Sequence, residues 1–299
     1  DGGWQNYNRL NSDSLARLDI RDFVNVAADP QRDRFFAASF ENGLVSYRNG
    51  EFFRHYTPQN SGLSFARIAG GRFLRVADVT FDQEGNLWMT NNAASEPLVC
   101  LTSEGEWFSF SLNGVSAVLD LIIDDQGRKW MRTQGNGVVV YDDNGTIPNS
   151  RDDQVRQLTD REGRGGLPSS TVLSLAEDKD GNIWVGTTDG VGVFFSTRRL
   201  FERAISAQEV FVNQGEEAGL LLSGEQVTAI AVDGGNNKWF GTPNGVLYTT
   251  PSGDEVLNRF TADNSPLLSS SVRDIAIDGT DGKVYFATNS GLVSYRSRA

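Results

Sequence analysis

Six times along the chain a short apolar run ends in aspartate and a second run opens around an aromatic residue, and in every copy but the first a glycine- or asparagine-bearing turn lies between them. The most complete copy passes from Val172-Leu173-Ser174-Leu175 through Asp178-Lys179-Asp180-Gly181-Asn182 into Ile183-Trp184-Val185-Gly186-Thr187, then through Asp189-Gly190 into Val191-Gly192-Val193-Phe194. Trp88, Trp130 and Trp239 anchor three further copies, while Phe36 and Tyr285 hold that place in the first and last. Successive anchors stand 52, 42, 54, 55 and 46 residues apart. A period of about 40 to 50 residues built from short strands predicts an all-β chain folded as a β-propeller, one four-stranded blade per repeat. Helical repeats of similar length need long 3.6-residue patterning, which this sequence lacks.

Each part of the repeat has a physical task. The run before the aspartate suits an inner strand covered on both faces. The aspartate and glycine suit a tight hairpin, where a carboxylate bonds backbone amides and glycine accepts positive φ. The tryptophan is large enough to wedge between blades, and its strict recurrence marks it as core. Outermost strands are expected at Phe52–Thr57, Trp107–Phe110, Val155–Leu158 and Val256–Thr261. The sixth repeat has none, but Trp4–Asn8 followed by Asn11-Ser12 resembles one with no blade before it. A six-bladed ring closed by the N-terminal strand completing the last blade is therefore expected, which would cover two sheet edges. Seven blades are the alternative, with the extra one inside the irregular 198–225 insert. Residues 1–299 read as a single propeller domain excised from a longer protein.

Composition narrows function. With 39 acidic against 27 basic residues the formal net charge is -12, which repels phosphate backbones and argues against nucleic acid. One cysteine, Cys100, leaves no internal disulfide or thiolate-rich metal site, and one histidine, His55, leaves little room for zinc or Ser-His-Asp chemistry. No apolar run reaches the ~18 residues that span a bilayer.

The string Asp178 to Val191 resembles the two-component regulator propeller repeat, which builds periplasmic sensor regions of hybrid histidine kinases in Bacteroidetes. Ala229–Asp233, Asn237–Thr242, Phe260–Ser269 and Gly291–Tyr295 resemble the PorZ-type propeller of the type IX secretion system. The repeat resemblance covers essentially the whole chain, and the PorZ-like wording about residues 165 to 295. It implies a periplasmic or cell-surface location, neighbouring domains in a longer chain, no cofactor, and a protein or glycan ligand such as anionic lipopolysaccharide.

Candidate chemistry is sparse. Asp178-Lys179-Asp180-Gly181-Asn182 looks like the start of a calcium loop, but the chain enters a strand at once, so a structural hairpin is expected. Asp78, Asp120 and Asp274 stand four residues before the turn aspartate on inner strands. They could converge on a central channel and hold a cation, or each could bond a backbone amide. Arginine outnumbers lysine 23 to 4, and guanidinium forks bind carboxylate and phosphate. Arg151, Arg156, Arg161 and Arg164 make the 151–166 loop the favoured ligand site, with Arg198 and Arg199 of the insert beside it in rank; ordinary surface ion pairs are the bland alternative. Trp107 is expected to be partly exposed and Cys100 to be inert packing. The leading expectation is a non-catalytic recognition module; a metal-dependent hydrolase or lyase and a structural spacer are the alternatives.

Overall fold

The computed structural model describes residues 6–20, 22–214 and 217–296. Six antiparallel sheets of four, four, four, three, four and three strands follow one another along the chain, a six-bladed β-propeller arrangement. Blade 1 comprises Phe23–Ala28, Arg34–Ser39, Gly43–Arg48 and Glu51–Tyr56. Blade 2 comprises Val76–Phe81, Leu87–Asn91, Leu98–Leu101 and Trp107–Phe110. Blade 3 comprises Val118–Ile123, Lys129–Thr133, Val138–Asp142 and Gln154–Leu158. Blade 4 holds Val172–Glu177, Ile183–Thr187 and Gly190–Phe194. Blade 5 holds Ala229–Val232, Lys238–Thr242, Gly245–Thr249 and Val256–Phe260, and blade 6 Val272–Ile277, Val284–Thr288 and Gly291–Tyr295. The chain divides into two compact units, residues 1–131 with 141–155 and residues 132–140 with 156–299.

The turn aspartate and the tryptophan six residues on form one device. Asp178 Oδ1 accepts the amides of Asp180 and Asn182, while Oδ2 accepts Asn182 Nδ2 and, at 2.8 Å, Trp184 Nε1. Asp82 holds Trp88, Asp124 holds Trp130 and Asp233 holds Trp239 in the same way. Each indole thus buries its whole ring with its one polar atom satisfied, the condition for a tryptophan to sit in a core. Trp88, Trp130 and Trp184 are fully buried and Trp239 nearly so. Phe36 is buried likewise, whereas Tyr285 is only half-buried.

Inner strands share a second device. Register shifts fall between Phe23 and Asn25, Val76 and Asp78, Val172 and Ser174, and Val272 and Asp274. Such bulges re-aim a side chain. Asp78 Oδ2 accepts the Leu121 amide of the next blade, and Ser174 Oγ donates to the Val227 carbonyl just before the next blade. Apolar side chains fill the space between successive blades: Phe36, Leu44, Val79 and Met89 between the first two, and Trp239, Val272 and Phe286 between the last two.

Six blades stand and the seven-blade alternative does not: among the described residues the 198–225 insert holds no blade. A two-residue strand, Ile205–Ser206, pairs in parallel with Arg164–Gly165, a bridge joins Gln208 to Val193, and a hairpin pairs Phe211–Gln214 with Glu217–Leu220. Val210, Val212, Leu221 and Leu222 turn inward onto Trp184, so the insert completes the core beside blade 4 in place of a fourth strand. At the N-terminus, residues 1–5 of the expected closing strand lie outside the described residues. Asn6–Asn8 is not strand; Tyr7 packs on Phe35 and Tyr47 of blade 1. Asn11 Oδ1 accepts the Asn8 amide and Nδ2 donates to Asn6, the pattern Asn60 and Asn264 make after the outer strands of blades 1 and 5. Ser12 then caps the short helix Asp13–Leu18, whose Leu15 is buried against blade 1.

Candidate functional site

The outer strand of blade 3 runs directly into the first of the two arginine-bearing loops. Past Leu158 the chain folds back tightly: the Thr159 amide donates to Arg164 O, and the Gly166 amide to Arg161 O at 3.0 Å. Gly165 makes this turn with φ +122, and a Cβ there would stand 2.5 Å from both Thr159 N and Thr159 O. No other residue fits both constraints.

The second loop is fastened to the first. Besides the Arg164–Gly165 ladder to Ile205–Ser206, the Ala207 amide donates to Gly165 O and the Gly163 amide to Ser206 Oγ. Arg156 donates from Nη1 to the carbonyls of Leu200 and Arg203. Burial lowers its pKa from the ordinary arginine value. This arginine, a candidate ligand contact from the sequence, clips the insert to blade 3.

A cleft of about 330 Å³ opens beside this junction, lined by Arg161, Arg164, Asp160, Thr159, Gln157, Asn136 and Ser170. Its polar floor is internally braced. Gln157 Nε2 donates to Asn136 O at 2.9 Å, and Ser170 Oγ accepts the Asp160 amide. Arg161 and Arg164 are exposed, and among the described residues neither guanidinium is paired with a carboxylate. Two free planar forks above amide and hydroxyl groups suit an oxyanion or a polyhydroxyl ligand carrying one. Of the other candidates, Arg151 and Arg198 are exposed and do not line the cleft, and Arg199 pairs loosely with Glu202 at 3.7 Å.

A larger cleft, about 520 Å³, lies at the turns of blades 2 and 3. Its principal carboxylates are already engaged: Asp82 and Asp124 hold their tryptophans, and Asp143 lies 3.0 Å from Lys129 Nζ. Size alone does not make it the better site, because its central charges are spent on the fold.

Asp78 is buried and receives the Val79 and Leu121 amides, and Asp274 Oδ1 receives the Ile275 amide. Asp120 is half-buried and also has interactions. Among the described residues no group of three or more His, Cys, Asp or Glu is placed to hold a metal ion. His55 lies on the outer strand of blade 1 with Nε2 2.6 Å from Asn42 O. Cys100 is buried, and burial pushes its thiol pKa up, away from reactivity. Among the described residues no helix is long and apolar enough to cross a membrane.

Sequence reasoning missed the lysines that precede two of the tryptophans. Lys129 Nζ sits 3.8 Å over the Trp88 ring of the preceding blade, and Lys238 Nζ 5.0 Å over Trp184. The Lys-Trp dipeptide, present only at these two anchors, was the available signal.

Residues 166–189 match the two component regulator propeller family. That stretch begins at Gly166, the last residue of the first arginine loop, and takes in the most complete repeat as far as Asp189. No curated protein sequence matches the chain. Among solved structures, PorZ of Porphyromonas gingivalis, a bacterial surface component of the type-IX secretion system, superposes with a TM-score of 0.81 at 24% identity. The match covers 91% of this chain but 38% of PorZ, so the propeller spans well under half of that protein's length. Virginiamycin B lyase from Staphylococcus aureus superposes with a TM-score of 0.61 at 13% identity, covering 92% of this chain and 84% of the lyase. An extracellular domain of a hybrid two component system from B. thetaiotaomicron gives 0.49 at 18% identity, covering 90% of this chain and 39% of that one. The first two likenesses are of fold.

Proposed function

We propose that this propeller is a non-catalytic recognition module of the bacterial periplasm or cell surface, and that it holds the acidic group of a glycan or protein ligand in the Arg161–Arg164 cleft. The observation that carries this reading is the pair of guanidiniums that, among the described residues, have no carboxylate partner in a chain with a formal net charge of -12. Where acidic residues outnumber basic ones, unpaired arginines on a braced loop are poised for an external anion. The PorZ likeness supports a surface location and a role beside type IX secretion in a Bacteroidetes envelope, with further domains in the same protein. Anionic lipopolysaccharide is one ligand of suitable chemistry.

A lyase reading has less behind it. A histidine-to-alanine variant of the Staphylococcus enzyme is catalytically inactive. Here the single histidine sits on an outer strand against a backbone carbonyl. Thermal shift against acidic oligosaccharides, their neutral counterparts and carboxylate-ending peptides tests the proposal. A ligand at 100 times its dissociation constant adds about 2.7 kcal/mol. A shift confined to acidic ligands and abolished in Arg161→Ala/Arg164→Ala is expected. Stabilisation that is indifferent to that double substitution would remove the cleft from the mechanism.

A further inference from the structure

The connection between blades 1 and 2 carries a second arginine group, remote in sequence from the cleft and independent of it. The Ala66 amide donates to Phe73 O at 2.8 Å, closing a loop whose tip is Arg67-Ile68-Ala69-Gly70-Gly71-Arg72. Arg67 and Arg72 stand first inside that bond, one on each arm, and both are exposed. The Arg67 amide donates to Ala93 O of blade 2, so the base of the loop is anchored while its tip projects. At the tip Gly70 has φ +98 and nothing within 4 Å of where a Cβ would be.

The arginine heads are supported by rings. Arg72 lies 4.4 Å over Phe65, and Arg75 lies 4.9 Å from Phe40 and 5.5 Å from Phe73. A phenyl face holds a guanidinium by cation–π attraction while leaving its in-plane N–H donors unused. None of Arg67, Arg72 and Arg75 is paired with a carboxylate among the described residues, and Arg75 Nε is buried without an acceptor. Like charges facing each other across a loop are destabilising unless something neutralises them. Three such charges within nine residues, unanswered in an acidic chain, are an arrangement that an incoming anion would relieve.

We infer that the 66–73 loop is a phosphate-binding finger, in which Arg67 and Arg72 grip a phosphate group from two sides and Arg75 adds charge beneath them. A phosphate group is favoured over a single carboxylate because it offers more charge and three acceptor oxygens to more than one fork. Free phosphates and the headgroup of a phospholipid share this chemistry.

Calorimetric titration of the chain with inorganic pyrophosphate at low ionic strength tests the assignment. Arg67→Ala/Arg72→Ala is expected to weaken binding about tenfold or more, and Arg72→Lys to weaken it measurably because the fork is lost while the charge is kept. Both altered side chains are exposed, so circular dichroism should report a native fold. Arg151→Ala/Arg198→Ala, which removes two exposed arginines that line neither the cleft nor this loop, serves as the control and should bind pyrophosphate as the native chain does, which separates this site from a general loss of surface charge. Flotation with phosphatidic acid vesicles, with and without competing pyrophosphate, tells a headgroup from a free phosphate. Absence of pyrophosphate binding, or binding equal in the Arg67→Ala/Arg72→Ala chain, overturns the proposal. So does equal loss in that control.

Discussion

Lys238 Nζ lies 3.0 Å from Asp178 Oδ2, with the lysine in the second strand of blade 5 and the aspartate in the first turn of blade 4. Both side chains are inaccessible to water. Burial pulls the Lys238 pKa down in spite of the neighbouring carboxylate, so the attraction does not fully offset the desolvation of the ammonium. The pair fixes the register of the two blades, with the desolvation cost falling on the lysine. Asp178→Ala should destabilise by about 3 to 5 kcal/mol, because it strands a buried ammonium and frees the Trp184 indole. Lys238→Met should cost much less, since methionine refills the volume and Asp178 keeps its other donors. Urea unfolding of the two variants checks the asymmetry; equal losses would contradict it.

Acid should expose the same carboxylates. Burial alone would raise Asp178 and Asp233, but the donors Trp184, Asn182 and Lys238 at the first, and Asn237, Trp239 and Tyr248 at the second, hold both below the ordinary aspartate value. A carboxylate depressed in the fold stabilises it fully above the unfolded pKa, about 3.9, and loses that contribution as pH falls through the folded value. Urea midpoints should hold between pH 7 and 5 and drop below about pH 4. Asp233→Asn should flatten the drop. A decline already complete by pH 5 would assign it to other groups.

The turn aspartates and tryptophans were legible because one residue type recurs at one spacing, and repetition separates architecture from accident. So were the outer strands of blades 1, 2, 3 and 5. The insert was not, since Val210 and Val212 read as strand residues whether they build a blade or plug a core. Arg156 and Arg161 are likewise indistinguishable in a string; only the Leu200 and Arg203 carbonyls show that one is structural. The Asn6–Asn11 turn was legible through its likeness to the turns at Asn60 and Asn264, while residues 1–5 of the expected closing strand lie outside the described residues.

Arg156→Ala should loosen the insert without emptying the cleft. Losing its bonds to two carbonyls leaves the 198–206 segment tied mainly by the short ladder to Arg164–Gly165. Limited proteolysis should cut within residues 198–206 several times faster, while acidic ligands still shift the melting temperature about as in the native chain. Unchanged proteolysis would show that the clip is dispensable.

Gly165→Ala is expected to damage the site more than Arg161→Ala does. Its φ of +122 and the 2.5 Å approach to Thr159 N and O leave no room for a methyl group. Strain of about 1 to 3 kcal/mol or a reshaped loop should follow. Thermal unfolding combined with the acidic-ligand shift measures both, and a native melting point with native ligand response would contradict the loop geometry.

Calcium followed by chelator should leave the melting temperature unchanged, because Asp78 already spends both oxygens on backbone amides. A chelator-reversible rise would bring the cation reading back.

The bulged side chain of one inner strand reaching the backbone at the next blade bears on how such a chain can change length. Asp78 and Ser174 each carry the outgoing half of a fastener, and Leu121 and Val227 carry the receiving half as plain backbone. A receiving half made of peptide groups asks nothing of the incoming sequence. A duplicated blade would therefore arrive able to grip its successor and to be gripped by its predecessor, with no compensating substitution on either side. Growth and loss by whole repeats is the mode of divergence this joint permits.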